Sequence, residues 1–203
     1  MFIQVIQGRV ADADELKDSL DQWVRELGPG ADGWLGSTGG VTDDGRCILV
    51  ARFESADKAR RNSDRPEQHQ WWMETSKLFE GGATFHDCHQ VDVWGGAGSD
   101  QAGFVQVIQN QVREPEKLRD LMMSNEGMMN EFRPDVIGGT VALHDDEQAT
   151  TMTVYFESEA AAREGERKEP TPEIQELMSK QMEYMVGEPI YYDLRTPWLH
   201  SPR

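Results

Sequence analysis

Few residues in this sequence have the type and spacing to do chemistry. The densest run is Phe85-His86-Asp87-Cys88-His89, where four side chains are able to bind a metal. Strand alternation puts His86 and Cys88 on one face and Asp87 and His89 on the other. Four ligands then do not converge, and no zinc or other metal site is expected. A second candidate is His69, followed by Trp71 and Trp72. His69 and Trp72 are three residues apart and share a helix face, where an aromatic ligand can stack. His69 is there the base suited to neutral pH. The alternative is that both tryptophans are core. A third is Asn110, on one strand face with Phe104, Gln106 and Ile108. Its amide can donate to an oxyanion or a bound oxygen species, or satisfy backbone at a strand end. Gln4 and Gln7 recur as Gln106 and Gln109. Buried amides need partners, and Gln106 and Gln4 can also line pockets. Nothing resembles a glycine-rich phosphate loop, and no Ser-His-Asp order stands out.

The elements that position these residues come twice. Phe2-Ile3-Gln4-Val5-Ile6-Gln7-Gly8-Arg9-Val10 reappears as Phe104-Val105-Gln106-Val107-Ile108-Gln109-Asn110-Gln111-Val112, identical at six of nine positions. The same offset pairs Gly36 with Gly138 and Asp43-Asp44 with Asp145-Asp146; one residue later, Phe53-Glu54-Ser55 pairs with Phe156-Glu157-Ser158. Such self-similarity is the first thing to seek in a sequence. Each copy reads β-α-β-β-α-β. After the first strand, Leu16, Leu20, Trp23, Val24 and Leu27 fall at helical spacing and Gly28-Pro29-Gly30 stops the helix. Trp34 to Val41 and Cys47 to Phe53 form a hairpin around Asp43-Asp44-Gly45. The second helix begins near Pro66 in one copy and Thr171-Pro172 in the other; the fourth strand runs from Phe85 to Trp94, matched by Ile190 to Arg195, with Asp92 opposite Asp193. The expected domains are residues 1–95 and 104–203, the latter ending in a C-terminal tail, joined by a glycine-rich linker over 96–103. The order of elements is the ferredoxin-like one. The first strand is apolar on both parities, so both faces of the sheet need cover.

The net charge is −17: −7 over residues 1–95, −9 over 104–203, and Asp100 between them. An evenly acidic surface repels polyphosphate, so nucleic acid is not an expected partner. No apolar run approaches a membrane span, and the N-terminal residues lack the pattern of a signal peptide. Cys47 and Cys88 make no disulfide framework and suit a reducing compartment. They fall on strands that the first strand separates. A cytoplasmic location and no membrane partner are expected.

Three stretches carry a resemblance: Gly33-Trp34-Leu35-Gly36, Arg52-Phe53-Glu54-Ser55-Ala56-Asp57-Lys58-Ala59, and Pro66-Glu67-Gln68-His69-Gln70. With them the chain resembles two fused members of the antibiotic-biosynthesis monooxygenase family, of the dimeric α+β barrel superfamily. The resemblance implies an α+β fold of two ferredoxin-like repeats packed sheet to sheet, a pseudo-dimer within one chain, with further homodimerisation open. It implies a pocket between sheet and helices in each half, and often oxidation of electron-rich aromatics without a cofactor. A haem-degrading branch of the family carries an Asn that Asn110 matches, together with Trp and His on the second helix. Gly8 occupies the Asn position in the first copy, and neither half holds the full set, so haem is not expected. The expected function is a monooxygenase-like protein oxidising a small aromatic or apolar ligand, with Asn110 and His69 catalytic and Gln4, Gln106 and Trp72 lining pockets. The alternative is a non-enzymatic ligand-binding or structural protein of the same fold.

Overall fold

The computed structural model describes residues 1–95, 98 and 100–202. Gly96, Ala97 and Ser99 of the expected linker lie outside the described residues. The chain forms two compact α+β units. One comprises Met1–Val91 and Thr196–Arg203, the other Asp92–Arg195. The expected boundaries, 1–95 and 104–203, differ from these at the ends, because each contiguous half gives its last segment to the other unit.

The first unit is built from β1 (Phe2–Val10), α1 (Ala13–Glu26), β2 (Trp34–Val41), β3 (Arg46–Phe53), α2 (Ala56–Ser63), α3 (Pro66–Thr75) and β4 (Phe79–Cys88). After β4 the chain bends at His89, and β5 (Gln90–Trp94) joins the sheet of the second unit. The second unit continues with β6 (Phe104–Val112), α4 (Pro115–Ser124), α5 (Glu126–Phe132), β7 (Val136–Leu143), β8 (Ala149–Phe156), α6 (Glu159–Glu166), α7 (Pro172–Met182) and β9 (Met185–Leu194). The last strand, β10 (Trp198–His200), adds to the edge of the first sheet. The strand orders are β10-β2-β3-β1-β4 and β5-β7-β8-β6-β9. The ferredoxin-like order is therefore present in both units, each with one added edge strand. The expected single strand from Phe85 to Trp94 is in fact two strands. The alternating pattern runs on across the bend at His89, with no glycine or proline to mark it.

Pairing registers make the two units comparable residue by residue. Phe2 faces Phe53 across β1 and β3, and Phe104 faces Phe156 across β6 and β8. Gln4 faces Asp87 on β4, and Gln106 faces Asp193 on β9. Asp87, rather than Asp92, is thus the counterpart of Asp193. Asp92 instead receives a bidentate bond from Arg119 on α4, at 2.6 and 2.8 Å. Local signals explain the helices. Asp12 accepts from the amides of Asp14 and Glu15, capping α1. Ser55 and Ser158 cap α2 and α6 in the same way, accepting from Lys58 and Ala161. The first helix of the second unit is interrupted at Asn125, whose Nδ2 donates to the Leu121 carbonyl at 2.8 Å.

Residues of both parities on the first strands are buried: Phe2, Ile3 and Val5 in β1, and Phe104, Val105 and Val107 in β6. Cys47 on β3 and Cys88 on β4 are buried and not joined in a disulfide, with β1 between their strands. Burial alone pushes the Cys47 thiol up to about 12, so it is inert at neutral pH.

Each first strand carries a register shift, between Gln7 and Arg9 in β1 and between Gln109 and Gln111 in β6. The residues at the shift are Gly8 and Asn110. A Cβ on Gly8 would lie 2.8 Å from Cδ1 of Phe79 and 3.1 Å from the Gly82 carbonyl oxygen. Phe79 is itself buried and has little room to move. Gly8→Ala is therefore expected to cost about 1–3 kcal/mol by overpacking. Urea denaturation of the two proteins, compared at equal slope, measures it; an unchanged midpoint would show that Phe79 yields freely.

Candidate functional site

Each unit has a cavity on the helix-facing side of its sheet, within the unit. The cavity of the first unit is about 100 Å³. Its walls are aromatic: Trp23 from α1, Trp34 from β2, Trp71 and Trp72 from α3, and Trp198 from β10. That is five of the six tryptophans in the sequence. Trp23 and Trp34 meet edge to face at 5.0 Å, and Trp71 and Trp72 are tilted at 6.0 Å. Two indole N–H groups are tied down: Trp23 donates to Gln68 Oε1, and Trp71 to the Ser19 carbonyl.

The polar groups of this cavity are few, uncharged and oriented. Among the described residues, no Asp, Glu, Lys or Arg lines it. Gln68 spends its Oε1 on Trp23, so its NH₂ is the end left to offer. Asn62, only 5% exposed, spends its Oδ1 on Arg65 Nη1 at 2.9 Å, so it too presents an NH₂. His200 reaches the cavity from β10. Its Nε2–H donates to Asp21 Oδ1 at 2.8 Å, which leaves Nδ1 as the acceptor, and the Ser37 hydroxyl donates to it at 3.4 Å. Burial raises the Asp21 carboxyl, but hydrogen bonds from Lys17 and His200 outweigh it, and the net shift is downward from 3.8. Gln4 also lines the cavity, with its Nε2 donating to Asp87 Oδ1 at 2.8 Å.

The second unit's cavity is larger, about 210 Å³, and is built from other chemistry. Met122, Met123, Met129 and Met152 line it together with Trp94, the sixth tryptophan. Gln106 lies in its lining, with Nε2 donating to Asp193 Oδ1 at 2.9 Å. No histidine lines it. The counterpart of Asn62 is Gly165, where a Cβ would meet Asp135 Oδ2 at 2.3 Å. Asp135 is held there by Arg133 at 2.7 Å.

Of the residues expected from sequence, Gln4 and Trp72 come together in the first unit's cavity, and Gln106 lines the second's. His69 lines neither and is exposed on α3. The inward stripe of α3 is Gln68, Trp71, Trp72 and Thr75; His69 sits about 100° around the helix from Gln68. Asn110 is buried, 9% exposed, at the register shift of β6, but it is absent from the lining of its unit's cavity. Asn62, Gln68 and His200 were not singled out from sequence. His200 lies in what reads as a tail, and only the pairing of β10 with β2 brings it to the site.

Haem does not suit either cavity. Both are smaller than the roughly 300–1,000 Å³ of pockets that enclose drug-sized ligands. Both ring nitrogens of His200 are engaged, and the second cavity offers no histidine.

Asp21 ties this geometry to pH. A carboxyl whose value falls on folding adds stability that is fully present above its unfolded value and is lost as pH drops through the lower folded value. Wild type and Asp21→Asn should therefore melt apart near neutrality and converge at the acid end, well below pH 3.8. Equal melting temperatures at neutral pH would show the pair to be idle.

No family model matches the sequence, and no curated protein does. Solved structures do. A candidate monooxygenase of Fusobacterium nucleatum is 7% identical with a TM-score of 0.78, over 98% of this chain and 94% of that one. A candidate monooxygenase of Lactobacillus acidophilus is 14% identical with a TM-score of 0.74, over 99% and 96%. An anthrone oxidase-like protein is 12% identical with a TM-score of 0.68, over 98% and 93%. At such identities the likeness is one of fold, and it extends over nearly the whole chain.

Proposed function

We propose that the chain is an oxygenase-like member of the antibiotic-biosynthesis monooxygenase family, and that its reacting site is the first unit's cavity. The carrying observation is the combination there of tryptophan walls, two oriented amide NH₂ groups and an imidazole with its Nδ1 turned to the cavity. The fold shared with candidate monooxygenases and an anthrone oxidase-like protein supports the same reading.

The walls suit a small planar aromatic ligand, and the absence of charged lining suits a neutral one. Asn62 and Gln68 are placed to hydrogen-bond a carbonyl oxygen or the oxyanion that develops on it. His200 Nδ1 is the base, and Asp21 stabilises the imidazolium that forms. A methylene that joins a single aromatic ring to that carbonyl gives up a proton and becomes an electron-rich carbanion. The carbanion supplies the electrons to O₂, so that one CH₂ and one O₂ yield one C=O and one H₂O, with no external reductant. On this reading the oxidation needs no bound cofactor.

The test is oxygen uptake with a panel of phenols and aromatic ketones, with binding followed by tryptophan fluorescence. His200→Ala should lower uptake about 10²–10⁴-fold. Asn62→Ala should weaken binding by about 0.5–1.5 kcal/mol. His69→Ala should behave as wild type. Loss of activity in His69→Ala with His200→Ala intact would move the site out of this cavity. Quenching and thermal stabilisation without oxygen uptake would mark a binding protein instead.

A further inference from the structure

Three side chains at the first unit's cavity form a second kind of arrangement. Ser37 and His200 are direct cross-strand partners on β2 and β10, 163 residues apart in the chain. The Ser37 hydroxyl donates to His200 Nδ1 at 3.4 Å, and His200 Nε2–H donates to Asp21 Oδ1 at 2.8 Å. Ser37 and His200 both line the cavity, whereas Asp21 on α1 does not. The series runs hydroxyl, imidazole, carboxylate, from the cavity out to the surface of α1. That is the logic of an activated nucleophile: a base within reach, itself fixed in one tautomer by an acid. In structures without ligand such contacts are often looser than in the reacting complex. Two amide donors, Asn62 Nδ2 and Gln68 Nε2, belong to the same cavity, and Asn62 is 5% exposed with its carbonyl oxygen already engaged.

We propose that Ser37, His200 and Asp21 form an acyl-transfer site that cleaves small neutral aryl esters of short-chain acids. This shares the cavity, the His200–Asp21 pair and the two amide donors with the oxygen reaction, and differs from it in using Ser37 as nucleophile and in needing no O₂. Ser37 Oγ adds to the ester carbonyl carbon while its proton passes to His200 Nδ1. The amides of Asn62 and Gln68 receive the resulting oxyanion. The bond from carbonyl carbon to aryl oxygen then breaks, and the leaving aryloxide takes the proton from His200. Water adds to the acyl-serine, gives its proton to Nδ1, and Ser37 leaves with that proton as the free acid departs. One ester and one water give one phenol and one acid, with no oxidant or reductant. A cavity of about 100 Å³ limits the acyl group to a short one.

The probe is 4-nitrophenyl acetate. Wild type should release 4-nitrophenolate and gain one acetyl group on the peptide that contains Ser37, read by mass spectrometry. Ser37→Ala should lower the rate on the order of 10²-fold or more and abolish the label. Ser37→Cys, which changes one atom, should take the acetyl group as a thioester, so that a poorly folded Ser37→Ala does not leave the matter open. Asp21 is a positioning residue. In Asp21→Asn, nitrogen NMR of the imidazole should show His200 moved from the Nε2–H to the Nδ1–H tautomer together with the loss of rate. Acetylation at another residue, or equal rates in wild type and Ser37→Ala, overturns the proposal. Oxygen uptake with phenols while the ester stays intact overturns this proposal and leaves the oxygen reaction standing; ester cleavage without oxygen uptake does the reverse.

Discussion

The pairing of β10 with β2 is the contact on which the candidate site depends. Three residues make it: Trp198 opposite Gly39, Leu199 opposite Thr38, and His200 opposite Ser37. From this short strand come one tryptophan wall and the imidazole. It is seated where the sheet allows little bulk. A Cβ on Gly39 would lie 2.4 Å from Leu49 Cδ2 and 2.9 Å from the Ile48 carbonyl oxygen. The second unit answers with β5, where Trp94 lies so close to Gly139 that a Cβ there would meet its ring at 2.3 Å. In the first sheet the added edge strand pairs Trp198 with Gly39, in the second it lays the Trp94 ring over Gly139, and each of these tryptophans lines its unit's cavity.

On that shared frame the two units keep one polar pair and change nearly everything else. Gln4 with Asp87 and Gln106 with Asp193 occupy the same register and make the same bond, at 2.8 and 2.9 Å. Asp87 is exposed and Asp193 half-buried, and in each unit a glutamine on the central strand donates to the carboxylate without adding charge. In the second unit Arg163 also donates to Asp193 and stacks 5.3 Å above Phe104. Around these pairs one cavity is lined by rigid indoles and the other by methionines, whose unbranched thioethers adapt to irregular shapes. The change from Asn62 to Gly165 removes a donor and admits the Asp135 carboxylate in its place. The first cavity thus carries an imidazole, His200, and no carboxylate, whereas the second carries the Glu126 carboxylate and no imidazole.

The fold was legible because its signals are local. Alternation, caps such as Asp12, Ser55 and Ser158, and the repeated first strand each act within a few residues. The copy-to-copy offset also placed Gln4 and Gln106 on corresponding faces. What was not legible depends on contacts far apart in sequence. Nothing near His200 says that it will pair with Ser37, and nothing near His89 says that the chain there leaves one sheet for another. The misplacing of His69 has a different origin. Three-residue spacing makes it a neighbour of Trp72, but Trp72 lies at the margin of the buried stripe rather than its centre. Sharing a face with a residue at the margin puts His69 in solvent. Asn110 stands out in the sequence by its match to the family's Asn, at a position where the first copy has Gly8. The register shift shows that this position governs how the strand packs against its neighbour, since at Gly8 the limit is set by Phe79.

The charge of the protein fits the division between surface and site. With a net charge of −17, an anionic ligand meets repulsion over any distance not screened by salt, whereas a neutral aromatic does not. The first cavity has no charged lining to compensate, so it is suited to take up a neutral molecule and generate charge only after water has been excluded. In the proposed reaction, proton transfer to His200 would do this in a balanced way. The new anion would lie near a new imidazolium, and the Asp21 carboxylate already stands on the far side of that ring, itself held by Lys17 at 2.6 Å. The chain of charges thus begins at the helix surface and ends at the cavity wall. Each member is stabilised by the next, and the uncharged amides of Asn62 and Gln68 complete it on the ligand side without repelling the incoming neutral molecule.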